Sequence, residues 1–99
     1  MMLDFEISKL ALTDLDNIWE YTVEQWSKEQ ANIYYNEIFM VISKICENPE
    51  TGKPIDEIMK GHRRINVKSH MIIYKIQGTT IYIDRILHQK MDIENHIGE

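Results

Sequence analysis

The sequence has few cysteines, prolines and glycines, with one, two and four among 99 residues. The single thiol, Cys46, excludes an internal disulfide, and a lone cysteine on an apolar helix side is typical of core packing in a reducing compartment. No apolar run approaches the roughly 18 residues of a membrane span, and the N-terminus carries acids where a signal peptide has basic residues. These absences favour a soluble cytoplasmic protein with a single domain over residues 1–99.

Positive charge is also scarce, because 11 Lys and Arg stand against 16 Asp and Glu, for a net charge of −5. The imbalance is uneven: residues 1–60 carry five basic and twelve acidic side chains, and residues 61–99 carry six and four. Binding to a phosphate backbone normally needs clustered Lys and Arg. The charge therefore argues against strong direct nucleic-acid binding and favours a protein partner.

The most regular pattern lies in residues 70–92, where two runs rich in Ile and Tyr flank Gly78. Glycine takes the positive φ of a tight turn easily, so this segment predicts a β-hairpin. The second run, residues 80–87, is apolar on both alternations and therefore predicts a strand inside a sheet. The predicted sides are Ile81, Ile83 and Leu87 on one face and Tyr82 and Ile86 on the other.

Two charged residues, Asp84 and Arg85, interrupt this strand. A buried charge is costly unless it has a partner, so the pair is informative. Two interpretations are open. In the first, both residues pair with neighbouring elements or lie at the sheet margin. In the second, Arg85 and His88 face a concave surface and bind a ligand.

Residues 1–26 predict an edge strand and an amphipathic helix. Leu3, Phe5 and Ile7 alternate with polar residues, as in a half-buried strand, and Ser8 is a suitable helix N-cap. The apolar stripe of the helix consists of Leu12, Leu15, Ile18, Trp19, Thr22, Val23 and Trp26. Its acids, predicted to be solvated on the other side, are Asp14, Asp16, Glu20 and Glu24.

A second helix follows directly. Ser27 and Gln30 match a capping box, and Asn48-Pro49 ends the helix. Its apolar stripe consists of Ala31, Tyr34, Ile38, Val41, Ile42 and Ile45, widened by Tyr35, Phe39 and Cys46. Since the connection is so short, the two helices are predicted to form an antiparallel hairpin.

The segment 50–61 has no clear period and contains Gly and Pro, which predicts a loop with one helical turn at residues 56–59. A short strand is predicted at residues 63–67. Its inward side chains are Ile65 and Val67, and its outward ones are Arg64 and Asn66. The tail, residues 89–99, is predicted to add a helical turn capped by Asp92, with Ile93 and Ile97 inward.

Residues across nearly the whole chain resemble a known family. The segment 85–92, RILHQKMD, is similar to the ending of ParE-type toxins in the ParE/RelE superfamily of bacterial toxin-antitoxin modules. Other similar positions, in the family's order, are Ala11, Asp14, Leu15, Ile18, Trp19, Tyr21, Trp26, Gln30, Ala31, Tyr34, Asn48, Pro49, Arg64, His70, Ile73 and Tyr74. The resemblance implies an α+β fold with an N-terminal strand, the helical hairpin, a three-stranded antiparallel meander and a short C-terminal helical turn.

The resemblance also implies a function, namely a toxin that inhibits DNA gyrase by binding. A cognate antitoxin, ParD-like or other, would neutralise it in a hetero-oligomer. The alternative is a RelE-type ribosome-dependent mRNA endonuclease, in which Arg64, Arg85 and His88 would share the catalysis. The sequence has no Tyr near or after His88, which such nucleases often use, so no catalytic residue is assigned to the leading hypothesis. A folded member without toxicity is the third possibility.

The predicted partner-binding residues belong to the more basic C-terminal part and would oppose an acidic partner. They are Arg63, Arg64, Tyr74, Arg85, His88, Lys90 and Met91. A groove between helical hairpin and sheet is predicted to accept an antitoxin helix and strand. Tyr21, outside the apolar stripe, is either part of the hairpin core or an anchor for a partner. The four histidines lack metal-ligand spacing, so no metal or cofactor is expected.

Overall fold

Two helices cover one face of a five-stranded sheet in a computed structural model that describes residues 2–91 and 93. The elements are β1 (Asp4–Ile7), α1 (Lys9–Gln25), α2 (Lys28–Glu47), a 3₁₀ turn (Pro49–Thr51), β2 (Lys53–Pro54), β3 (His62–Val67), β4 (His70–Gln77) and β5 (Thr80–His88). The strand order is β1-β5-β4-β3-β2, with β1 parallel to β5 and the other neighbours antiparallel. The predicted α+β fold, with its edge strand, helical hairpin and meander, is confirmed. Strand β2, by contrast, lies where a loop was predicted.

The helices begin where the sequence predicts. The Ser8 hydroxyl accepts a hydrogen bond from the Ala11 amide at 3.0 Å, and the Ser27 hydroxyl accepts one from the Gln30 amide at the same distance. Each bond satisfies an amide that the first helical turn leaves open. The side chain of Cys46, near the end of α2, is buried in the main core, as predicted. In the described part of the chain, no helix is both long and apolar enough to cross a bilayer.

A β-bulge interrupts the pairing of β4 with β5. Tyr74 lies opposite Ile83, whereas the preceding residue, Ile73, lies opposite Arg85. Asp84 is therefore an extra residue in β5, and the alternation of side chains shifts by one position beyond it. The two charges that interrupt the strand pattern thus mark the place where the strand is irregular.

The bulge changes which side chains of β5 reach the main core. Ile86 joins Ile81 and Ile83 beneath the helices, while Leu87 enters a smaller cluster on the opposite face of the sheet. The prediction that Leu87 shares a side with Ile81 and Ile83, and Ile86 with Tyr82, is therefore wrong. Strict alternation holds only as long as both strands contribute one residue per pair.

The smaller cluster covers the face of the sheet away from the helices. Its members are Ile55, Met71, Ile73, Leu87 and Ile93, with Met59 packed against them. The amides of Ile58 and Met59 donate to the Ile55 carbonyl at 2.9 and 2.8 Å, so residues 55–59 form one hydrogen-bonded turn with an i→i+4 bond, which agrees with the single helical turn predicted at residues 56–59. Ile93 is buried as predicted, but the predicted cap Asp92 and Ile97 lie outside the described residues.

Tyr74 holds the segment after α2 against the sheet. Its side chain is fully buried, and its hydroxyl donates to the Pro49 carbonyl at 2.8 Å and accepts from the Gly52 amide at 2.9 Å. Burial raises the pKa of the Tyr74 hydroxyl, although the Gly52 bond and nearby Arg63 oppose the shift. Arg63 adds a bond of 2.7 Å to the Gly52 carbonyl. Contacts from distant strands thus order a segment that has no periodic pattern of its own.

Candidate functional site

A groove of about 850 Å³ lies between α1 and the sheet, where β4 begins and β5 ends. Its apolar and aromatic walls include Ile18, Tyr21, Trp26, Tyr34, Ile86 and Met91. Tyr21 and Trp26 are 63% and 75% exposed. Aromatic side chains so exposed beside an apolar groove are typical of a surface that binds another molecule.

Asp14 and Arg85 form an ion pair at the floor of this groove. The Nε and Nη2 atoms of Arg85 donate to the two Asp14 carboxylate oxygens at 2.9 and 3.0 Å, and the Ile86 amide donates to Oδ2 at 2.9 Å. Both side chains are only 11% exposed. The prediction that Asp14 is a solvated acid is therefore wrong, because a partner 71 residues later in the chain draws it inward.

Asp84 makes its contact elsewhere. Its carboxylate contacts Nε2 of His62, a buried histidine whose Nδ1 donates to the Lys60 carbonyl at 2.9 Å. The bulge thus directs Asp84 and Arg85 to different partners. Their predicted pairing with neighbouring elements is confirmed, and Arg85 also lines the groove.

Two histidines stand side by side at the sheet end of the groove. His70 and His88 are cross-strand partners with ring centroids 5.3 Å apart. The Tyr34 hydroxyl donates to the Val67 carbonyl at 3.0 Å, which leaves its oxygen to accept from Nδ1 of His70 at 2.6 Å. Nδ1 of His88 accepts from the Lys90 amide at 3.1 Å. When His88 is neutral, its ring hydrogen is therefore on Nε2.

His70 is neutral at pH 7. Its pKa is lowered from 6.5 to about 4, mainly by burial and also by the neighbouring His88, whereas Asp14 acts in the opposite direction. Burial also raises the pKa of the Tyr34 hydroxyl, so that group stays protonated. The Tyr34 and His70 pair therefore contributes hydrogen-bonding groups to the groove wall and no net charge.

The low pKa of His70 makes stability depend on pH. Since the unfolded chain takes up this proton near pH 6.5 and the folded chain only near pH 4, the contribution is complete above pH 6.5 and is lost as pH falls between these values. We expect the free energy of unfolding of the wild type to fall by about 2 kcal/mol more than that of His70→Asn between pH 7 and pH 4. Urea unfolding at both pH values measures this difference. An equal change in the free energy of unfolding between pH 7 and pH 4 for the two proteins would contradict it.

The groove gathers only part of the predicted site. Arg85, His88 and Met91 line it, and Lys90 is exposed next to them in the chain. The other predicted residues lie elsewhere: Tyr74 is fully buried, Arg63 bonds the segment after α2, and Arg64 is near Met71 of the opposite cluster. A fully buried side chain offers no surface to a partner, so the prediction that Tyr74 binds a partner is wrong. Arg64 likewise lies apart from Arg85 and His88, the residues with which it was grouped as a nuclease candidate.

Some groove residues were not predicted as such. Trp26 was assigned to the apolar stripe of α1 but is largely exposed, because the helix ends there and Ser27 starts the next one. Lys68 was not predicted as a site residue, although a two-residue connection without Gly between two strands indicates an unusual turn, and His70 was weighed only among the four histidines as a metal ligand. Among the described residues, no three His, Cys, Asp or Glu side chains lie close enough to hold a metal ion.

A protein-family model and two known proteins match nearly the whole sequence. The family model described as "ParE toxin of type II toxin-antitoxin system, parDE" matches residues 5–93. Toxin ParE1 of Caulobacter vibrioides is 37% identical over 97 residues, which covers 98% of this chain and 100% of that protein. Toxin ParE1 of Mycobacterium tuberculosis is 35% identical over 92 residues, which covers 92% of this chain and 94% of that protein.

Solved structures share the fold at lower identity. A chain of the chromosomal ParDE toxin-antitoxin system from P. aeruginosa has a TM-score of 0.76 at 20% identity and covers 88% of this chain and 96% of its own length. A chain of the RelBE2 toxin-antitoxin complex from Mycobacterium tuberculosis has a TM-score of 0.65 at 17% identity, with 90% and 100% covered. The family match over most of the sequence and the relatives above one-third identity show that this chain belongs to the ParE toxin family of type II toxin-antitoxin systems.

Proposed function

We propose that this ParE-family toxin inhibits DNA gyrase by binding to it, and that a cognate antitoxin neutralises the toxin by filling the groove beside α1. The observation that carries the antitoxin part is the groove itself, with Tyr21 and Trp26 exposed at its side. Gyrase as the target follows from the ParE resemblance. Inhibition by occupying a surface needs no catalytic residues, and the groove supports that mode of action.

The polar groups of the groove favour binding over catalysis. Cleavage of RNA by proton transfer needs a base, an acid and a cation close to the phosphate. Arg85 is engaged by Asp14, and His70 is bonded to Tyr34 and neutral at pH 7. Arg64, the other candidate cation, lies near the opposite cluster. This arrangement supports a non-enzymatic toxin.

The apolar lining of the groove supports a peptide segment as its occupant. Two of the structures that share the fold belong to a ParDE toxin-antitoxin system and to a RelBE2 toxin-antitoxin complex. An antitoxin segment with apolar anchors would bury the exposed Trp26 and Tyr21, and aromatic residues in such positions often dominate binding energy. A toxin-antitoxin hetero-oligomer is therefore the expected resting form.

Addition of the purified toxin to gyrase and supercoiled plasmid should accumulate cleaved DNA. Toxin first mixed with the product of the neighbouring reading frame should leave the plasmid intact, because the complex has no free toxin. Gel electrophoresis after detergent and protease treatment measures the cleaved fraction, and heat-unfolded toxin is the control.

A different outcome would favour the ribonuclease hypothesis. Translating extracts that receive the toxin would then show cut messages while gyrase continues to supercoil DNA. If cutting also disappears in His88→Gln, a change at the groove that leaves the Asp14 ion pair in place, binding to gyrase is not the activity of this chain. Normal growth upon induction without antitoxin would instead indicate a member without toxicity.

A further inference from the structure

The groove contains a local positive charge on a molecule whose net charge is −5. Its charged lining consists of Asp14, Arg85 and Lys68. Asp14 and Arg85 neutralise each other at the floor, so Lys68 supplies the remaining charge at the wall. The Lys68 ammonium lies 3.1 Å from a Glu37 carboxylate oxygen, but the two side chains are 61% and 31% exposed. Such a pair is weak in water and exchanges readily for another carboxylate.

The backbone of Lys68 is strained. Lys68 and Ser69 form the turn between Val67 and His70, which are paired, and Lys68 has a φ of +50°. It is the only non-glycine residue with positive φ in the part of the chain that the structure describes. Glycine or asparagine normally occupies such a position in a two-residue hairpin, because glycine has no Cβ atom to clash with the backbone and asparagine tolerates positive φ better than lysine does. A residue kept in an unfavourable conformation beside a groove is a candidate for a binding role.

His88 places a hydrogen-bond donor at the same end of the groove. Its cross-strand partner is His70, which directly follows the turn that carries Lys68. With Nδ1 accepting from the Lys90 amide, the neutral His88 ring has its hydrogen on Nε2. An ammonium group and an imidazole donor therefore line one end of an otherwise largely apolar groove.

We infer that Lys68 and His88 bind a carboxylate of the antitoxin, an Asp or Glu next to the apolar residue that packs against Trp26 and Ile18. This inference rests on the proposed function, since it assumes that the antitoxin fills the groove. Charge complementarity supports an acidic residue at this point. Because the toxin as a whole repels an acidic segment, a local cation would fix the position of that residue and so determine which antitoxin is accepted.

Substitution of Lys68 by glycine separates binding from folding. In Lys68→Gly, the glycine adopts the positive φ without backbone strain, so Tm should rise by about 3–6 °C. Loss of the ammonium should weaken the affinity for the cognate antitoxin about tenfold. Calorimetric unfolding measures Tm, and isothermal titration with the product of the neighbouring reading frame measures the affinity. A purely structural lysine would not give a higher Tm together with a weaker affinity.

Matched variants complete the test. Lys68→Arg keeps the charge and should bind like the wild type, and Lys44→Gln removes an exposed charge outside the groove and should also leave Kd unchanged. Each Asp or Glu residue of the antitoxin is then replaced, one at a time, by Asn or Gln. One of these changes should weaken binding about tenfold in the wild-type toxin and have no further effect in Lys68→Gly.

Two results would contradict the carboxylate contact and the occupied groove separately. If Lys68→Gly binds as tightly as the wild type while Trp26→Ala loses at least about tenfold, the antitoxin occupies the groove without a carboxylate contact. If both variants bind normally, the antitoxin does not use the groove, and that part of the proposed function is wrong. Trp26 is 75% exposed, so its replacement by alanine leaves the core intact.

Discussion

Replacement of Asp14 by alanine should lower the free energy of unfolding by about 3–5 kcal/mol. The change deprives Arg85 of a bidentate carboxylate partner and the Ile86 amide of its acceptor. Neither group is well placed to recover that interaction from water, because the Arg85 side chain is only 11% exposed and Ile86 is buried. Urea unfolding monitored by Trp fluorescence gives the difference.

Three variants test the cause of this loss. Asp14→Asn keeps an acceptor for the Ile86 amide and should cost less than alanine. Asp16→Ala removes an exposed acid from the same helix and should change stability by less than about 0.5 kcal/mol. Asp14→Leu combined with Arg85→Met replaces the pair by apolar groups and should recover most of the loss. Equal effects of Asp14→Ala and Asp16→Ala would contradict a buried ion pair.

Gly52→Ala should destabilise the protein by about 3 kcal/mol. The added methyl carbon would lie 2.5 Å from the Tyr74 hydroxyl oxygen, 2.8 Å from its ring and 3.0 Å from the Arg64 carbonyl. Gly52 has a φ of −77°, which suits alanine, so the cost is steric and does not come from the backbone conformation. Tyr74 is fully buried and has no room to move away.

A double-mutant cycle identifies the contact responsible. Tyr74→Phe alone should cost about 1–3 kcal/mol, since the Gly52 amide and Pro49 carbonyl lose their partner. In the Tyr74→Phe background the closest clash is absent, and Gly52→Ala should therefore cost less than it does in the wild type. Thermal unfolding of the four proteins provides the comparison, and strict additivity would show that the hydroxyl is not the obstacle.

The elements that the sequence predicts well are those determined by neighbouring residues. Ser8 and Ser27 cap their helices within one turn, and Gly78 has a φ of +61° in the β4–β5 turn. The residues that were misplaced depend on distant partners. Asp14 looks solvated on the helix alone, and β2 is only two residues long and is held by Tyr74 and its strand neighbours.

The residues of the candidate site also differ in whether neighbouring residues or distant partners determine their positions. The sequence left two interpretations open for the charges in β5, namely pairing with neighbouring elements or, for Arg85 with His88, a concave surface, and in the structure Arg85 is paired while both residues line the groove. The sequence marks Lys68 only as one of two non-glycine residues between predicted strands, whereas its positive φ and its place beside the groove depend on the fold. Tyr74 was chosen for its hydroxyl, but the sequence does not show that backbone groups of the segment after α2 use that hydroxyl fully.

The parallel pairing of β1 with β5 has a consequence for synthesis on the ribosome. Residues 4–7 align with residues 80–83, so the first strand finds its neighbour only after most of the chain has been translated. Strand β5 also supplies one wall of the groove. A nascent chain that has not yet reached β5 therefore has neither a complete sheet nor a complete groove.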